Sequence, residues 1–188
     1  MNELDLYQLI QHILQHSATI EGRCIIAEGY GNDLNTNNLA VLLQDSLGSI
    51  TTTQKYPLAI ILPPIETVNT YEEGWSSFKL NMYFLTTTFY DNKSSLNSSR
   101  INTANNSSNY AIYNNWKDMR SVAGDFRRMF NHYICKNNLL DKVRELQRSI
   151  DYYSRVSLMN NDKLSGVSLE FEVAIFTPCT ITDYPTEP

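Results

Sequence analysis

The chain has 188 residues, 42% of them apolar, with 15 Lys and Arg against 20 Asp and Glu, a net charge of −5. That length supports one domain with a real core and falls short of a comfortable two. The acidic balance argues against a dedicated nucleic-acid binder, whose affinity comes from Lys and Arg neutralising phosphates. The longest apolar run, Pro57 to Ile65, contains three prolines and is far shorter than the roughly 20 residues of a membrane helix. The opening Met-Asn-Glu-Leu-Asp shows no basic stretch ahead of an apolar one, so a secretory signal is not expected and a soluble, cytosolic product is. Cys24, Cys135 and Cys179 are odd in number and far apart, unlike a disulfide framework or a zinc site, and are expected to be reduced. Cys24 and Cys135 sit in apolar runs and are expected as small core fillers.

Charge is unevenly spread. Residues 1–75 hold nine carboxylates against Arg23 and Lys55, a net of −7, whereas residues 116–148 hold eight basic and four acidic residues, a net of +4. Such segments are either solvated faces or complementary surfaces that stack copies of the protein.

Residues 3–16 predict an amphipathic helix capped by Asn2, with Leu6, Ile10, Ile13 and Leu14 on one stripe. Arg23 to Ala27 predicts a short strand, and the turn formers of 28–38 a loop. Leu39 to Leu43 is too short to type. Tyr56 to Leu62 predicts a buried strand ended by Pro63 and Pro64, which cannot continue a ladder. In Trp75 to Tyr90, Phe78, Leu80, Met82 and Phe84 alternate with polar positions, the period of a strand with one buried face. Its sixteen residues exceed a normal strand, so a bend, a bulge or a projecting arm is expected.

Residues 92–109 hold six Asn and six Ser and predict a flexible loop. A long helix is predicted from about Asn115 to Lys136, with Trp116, Met119, Val122, Ala123, Phe126, Met129, Phe130 and Tyr133 on its inner face. Gly124 within it suggests a close approach by another element. Leu139 to Leu146 suggests a second, short helix. Asp151 to Leu158 and Val167 to Phe176 predict an antiparallel pair across the turn 160–166. In the second of these, Val167, Leu169, Phe171, Val173 and Ile175 face a core and Ser168, Glu170 and Glu172 face out. Residues 177–188 predict an extended tail. The expected fold is thus α+β: one domain over 1–176, a mainly antiparallel sheet of four to five strands, and an N-terminal and a long helix packed on it.

No set of reactive side chains emerges. His12 and His16 are spaced for a metal if a third ligand arrives, but His-Ile-Leu-Gln-His lacks the Glu of the zinc-protease motif, and a wet helix face is the reading kept. His132 and Cys135 lie on one helix, whereas catalytic dyads come from different elements. Gly29-Tyr30-Gly31 lacks the third glycine and the Lys-Ser/Thr of a phosphate loop. Glu72-Glu73 and Glu170/Glu172 are paired acids without a cleft to serve. Arg127-Arg128, with Lys117 and Arg120, is the one basic concentration, either the polar back of the helix or a salt-bridged subunit contact. No catalytic group, cofactor or metal site is expected.

The order of elements, with Tyr-Pro-Leu-Ala-Ile-Ile-Leu-Pro-Pro at 56–64 and Gly-Val-Ser-Leu-Glu-Phe-Glu-Val at 166–173, resembles phage head–tail joining proteins and is most similar to the tail-terminator (tail-completion) group. The resemblance spans nearly the whole chain but is one of topology, without a diagnostic motif. It implies a non-enzymatic α+β subunit in a ring of six or twelve at the virion neck or tail. Such a ring would be assembled in the host cytoplasm against neck, portal or tail proteins. It implies a channel through which DNA passes without sequence-specific binding, and no cofactor or membrane. On that reading Arg127, Arg128, Glu170, Glu172 and Tyr90 are candidate subunit-interface residues. Two other readings stay open: a different neck or baseplate component, and a small-ligand-binding module of non-viral origin.

Overall fold

Two strands of thirteen residues carry the architecture of the computed structural model, which describes residues 3–27, 41–42, 56–68, 74–88, 107–137, 139, 142–145, 151–159 and 164–176. The elements in order are α1 (Glu3–Gln15), β1 (Cys24–Ile26), β2 (Leu58–Ile61), β3 (Ile65–Val68), β4 (Trp75–Thr87), α2 (Ser107–Lys136), β5 (Val143–Glu145), β6 (Tyr152–Met159) and β7 (Leu164–Phe176). β4 and β7 pair antiparallel in one unbroken register from Trp75↔Phe176 to Thr87↔Leu164. β2 and β3 lie end to end along the outer side of β4, and β5 and β6 do the same along β7. β1 adds a parallel strand outside β2, which makes the seven-stranded sheet mixed but mostly antiparallel.

The α+β class is therefore as the sequence implies, with more strands than the four to five expected. β3 resumes the sheet directly after Pro63 and Pro64. β5 occupies part of the stretch expected as a short helix: the β-branched Val143 pairs with Ile175 and is fully buried. The long strand ends its regular pairing at Thr87 with no bulge against β7, and the one register shift in the sheet falls in β6 between Val156 and Met159. Tyr90 and most of the expected arm and polar loop lie outside the described residues. The last three loop positions, 107–109, belong to α2, which starts eight residues earlier than the apolar stripe indicates. Ile112, 6% exposed, anchors that first part.

The core follows from two periods meeting. On the sheet, Phe78, Leu80, Met82 and Phe84 of β4 and Val167, Leu169, Phe171, Val173 and Ile175 of β7 point to one face. Both helices cover that face. α1 supplies Leu6, Ile10, Ile13 and Leu14, and α2 supplies Met119, Val122, Ala123, Phe126, Phe130 and Ile134. At its centre Phe84, Phe126, Phe130 and Phe171 form a chain of tilted and edge-on ring contacts with centroids 5.7–6.2 Å apart. Each buried ring contributes roughly 2–3 kcal/mol through area alone, and the ring geometry adds about 1 kcal/mol per pair. A second cluster (Ile25, Ala27, Leu42, Tyr56, Leu58, Ile60, Leu62, Leu85 and Leu164) lies on the other face of the sheet, so β2 is buried on both sides. Towards the β4–β7 centre that second face turns polar, with Ser77, Lys79, Asn81, Ser168, Glu170 and Glu172 half-buried.

Polar clips lock the ends of the long ladder. Asn115 Nδ2 of α2 lies 2.8 Å from Ser165 Oγ and 3.2 Å from the Thr87 carbonyl, and the Thr88 and Ser165 hydroxyls are 2.6 Å apart. Arg23 ties the turn after α1 to β2, its Nε donating to the Pro57 carbonyl at 2.9 Å and Nη2 to Thr19 at 2.6 Å. Among the described residues no helix is long and apolar enough to cross a membrane.

Gly166 faces Leu85 on one side and Val156 on the other, and a Cβ there would lie 1.9 Å from the Phe84 carbonyl oxygen. Gly124 is different. Among the described residues only the tip of the Arg120 side chain, 3.2 Å away, would meet its Cβ, and none from another element comes as near. Gly166→Ala should therefore cost about 3 kcal/mol or more, by forcing three strands apart, whereas Gly124→Ala should stabilise α2 by roughly 0.5–1 kcal/mol. Urea unfolding of the two variants beside the parent chain reads both signs.

Candidate functional site

The structure separates the two arginines that the sequence presents as one patch. Arg127 is 7% exposed. Its Nε and Nη2 donate to the two carboxylate oxygens of Asp151 at 2.9 and 3.1 Å, and Nη1 donates to Asn131 Oδ1 at 3.2 Å. The guanidinium stands 4.3 Å over the Phe171 ring and 5.7 Å from that of Phe130. It is an internal fastener between α2 and the start of β6. Helical spacing holds the missed signal: Ala123, Phe130 and Ile134 lie at −4, +3 and +7 from Arg127, and all three are buried. Arg128 points the other way, 78% exposed, and contacts Asp125 one turn back.

Arg120 of α2 is also engaged, by an aromatic ring of β6. The Arg120 guanidinium stacks 3.2 Å over Tyr153, and Arg155 of β6 lies 4.8 Å over Trp116. The Trp116 indole donates to the Val156 carbonyl at 2.7 Å. Burial raises the Tyr153 phenol above its ordinary range, so the ring under Arg120 stays neutral at physiological pH. β6 is thus held to the helix by one buried ion pair and two stacked cations more than by apolar area.

Glu170 and Glu172 sit on the polar face of the sheet, opposite Asn81 and Lys79 in register. Lys79 Nζ is 2.8 Å from Glu170 Oε1, and that hydrogen bond is the chief reason its ammonium is held above the usual lysine range. The small stabilisation is complete below the ordinary lysine pKa and lost only as alkali carries the group through its raised value. Beside this pair, Asn81 Oδ1 is buried without a hydrogen-bond partner among the described residues.

One concave feature gathers the titratable groups that the sequence leaves scattered. A groove of about 470 Å³ between the C-terminal halves of α1 and α2 is lined by His12, Ile13, His16, Arg128, Met129, His132, Tyr133 and Lys136. All three histidines of the chain are present in it. His16 Nδ1 donates to the His12 carbonyl at 2.8 Å, which leaves its Nε2 facing away from that contact. The His12 ring lies 4.5 Å from that of His16 and edge-on to Tyr133 at 5.1 Å. From sequence, His12 and His16 read as a wet helix face and His132 as a histidine without a catalytic partner. Their convergence depends on how α1 docks on α2, which local spacing does not encode. Among the described residues, no three His, Cys, Asp or Glu side chains are arranged to hold a metal ion.

Of the cysteines expected in the core, Cys24 is half-buried and Cys135 exposed on α2, both as free thiols. Burial raises the Cys24 thiol above its usual range, so little of it is thiolate at neutral pH. Alkylation with iodoacetamide under native conditions, read by peptide mapping, should therefore modify Cys135 well before Cys24. Asp151→Ala, which removes the bidentate carboxylate from the buried Arg127 guanidinium, should cost about 2–3 kcal/mol, whereas Arg127→Met should cost far less because a methionine can occupy the space beside Phe171. Comparison with protein-family models and with curated proteins finds no match to this chain.

Proposed function

We propose that this chain is a structural subunit of a phage virion, a ring-forming head–tail connector or tail terminator that joins neck and tail around a DNA channel. The observation that carries the reading is the free outer edge of β6. Among the described residues no strand pairs with that edge, and its side chains Tyr152, Ser154 and Arg155 are exposed. An unpaired strand edge is a ready site for adding a neighbour's strand, and a head-to-tail contact of unlike surfaces closes into a ring. The order of elements in the resembling family supports the same reading. So does the separation of charge between residues 1–75 and 116–148, although with Arg127 neutralised inside the subunit the second segment presents +3 and not +4. On this reading Arg128, Glu170 and Glu172 remain contact candidates and Arg127 acts by fixing β6.

A second reading, a small-ligand-binding module, draws support from the α1–α2 groove, whose volume lies within the range of ligand pockets, roughly 300–1,000 Å³.

Negative-stain microscopy and sedimentation of the purified protein at high concentration should show rings of six or twelve. Tyr152→Lys should abolish them, since a lysine on an edge strand blocks added pairing. Its ammonium would sit beside Glu170, so the melting temperature should hold. A wild-type protein that stays monomeric, encoded among metabolic genes with no portal, capsid or tail gene nearby, would sink the virion reading.

A further inference from the structure

The charge in the α1–α2 groove is arranged to grow more positive as its imidazoles take up protons. Permanent cations come from Arg128 and Lys136, and Asp125 offsets one of them by its contact with Arg128. Both helices also end here. α1 stops at Gln15 and α2 at Lys136, and each C-terminus presents about half a negative charge. With the histidines neutral these contributions nearly cancel. Protonating His12, His16 and His132 adds three positive charges to a groove whose lining, among the described residues, includes no carboxylate. The remaining walls are Ile13, Met129 and the Tyr133 ring, which exclude water from one side without competing for the charge.

The histidines are also placed to act together. His12 and His16 come from α1 and His132 from α2, so a ligand between the helices meets imidazoles on both walls. Anchored through Nδ1, the His16 ring can direct its Nε2 outward as a donor once protonated. The absence of a three-ligand metal arrangement among the described residues leaves the imidazoles as hydrogen-bond donors, not as a cation cage.

We propose that this groove is a pH-gated binding site for an oxyanion of the phosphate or sulfate type carrying two negative charges, held between Arg128, Lys136 and the protonated His12, His16 and His132. Its affinity rises as the imidazoles gain protons. It stands independently of the ring reading, because every group that forms it belongs to one subunit.

Sulfate is the probe of choice, since it stays dianionic from pH 5 to 8 and any pH dependence then belongs to the protein. Titrating sodium sulfate into the protein at constant ionic strength, with the imidazole proton signals followed by NMR, should move all three histidines along one saturable curve. The affinity should be about tenfold higher at pH 6 than at pH 8. Lys136→Gln and Arg128→Gln, both exposed and outside the core, should weaken binding at pH 6 while the circular dichroism spectrum shows the fold intact. His132→Gln should flatten the pH dependence. Shifts that rise linearly without saturation, or a saturable affinity equal at the two pH values, would overturn the proposal.

Discussion

The thirteen-residue ladder between β4 and β7 is the constraint on which every other element depends. Its pairs are far apart in sequence: Thr87 meets Leu164 across 77 residues, and Trp75 meets Phe176 across 101. Forming it closes loops of that length, and loop closure costs entropy before any contact offsets it. The return comes from side chains on one face only. The β4 and β7 residues that point to the helices are nearly all buried, and their rings interlock with Phe126 and Phe130 of α2. Helix and ladder are therefore one cooperative unit: α2 lacks a partner for its stripe until β7 has found β4, and the β4–β7 face stays wet until α2 lies on it.

The shorter strands are dependents of that unit, and the chemistry that attaches them differs from side to side. β2, next to β4, is buried on both faces and held mainly by apolar area. β6, next to β7, is exposed at Tyr152, Ser154 and Arg155 and is held by polar contacts with α2. Gly166 stands where β4, β7 and β6 come closest, with no room for a side chain. One flank of the sheet is thus sealed by the hydrophobic effect. The other is pinned by directional bonds, and no strand of the described residues pairs with its outer backbone.

Much of this is legible in the sequence where a period runs long enough. α1, β4, β7 and the second half of α2 each repeat a stripe over several turns or alternations, β2 is marked by an unbroken apolar run ended by two prolines, and each is found where those signals place it. β3 and β5 have four and three residues, too few to establish a period. In β5 the spacing of Leu139, Leu140, Val143 and Leu146 imitates a helix, and pairing with β7 overrides it. The first turns of α2 were hidden by Ser and Asn, which favour caps and loops when read locally. Arg127 shows a different failure. Its charge assigned it to the surface, while its spacing from Ala123, Phe130 and Ile134 assigned it to the interior, and Asp151 allowed the spacing to prevail.

The histidine groove lies beyond local reading for a stronger reason. His12 and His132 are neighbours only because α1 and α2 cover the same sheet face with their C-terminal ends together, an arrangement imposed by β4 and β7. That shared orientation has an electrostatic consequence. Two helix ends of like partial charge repel, and the opposing term is the set of cations gathered there: Arg128, Lys136 and the imidazoles when protonated. The same side chains that relieve this repulsion are left with outward-facing donors once it is satisfied. A surplus of positive charge at low pH is therefore a by-product of how the core is built, and a dianion is the ligand that would use it.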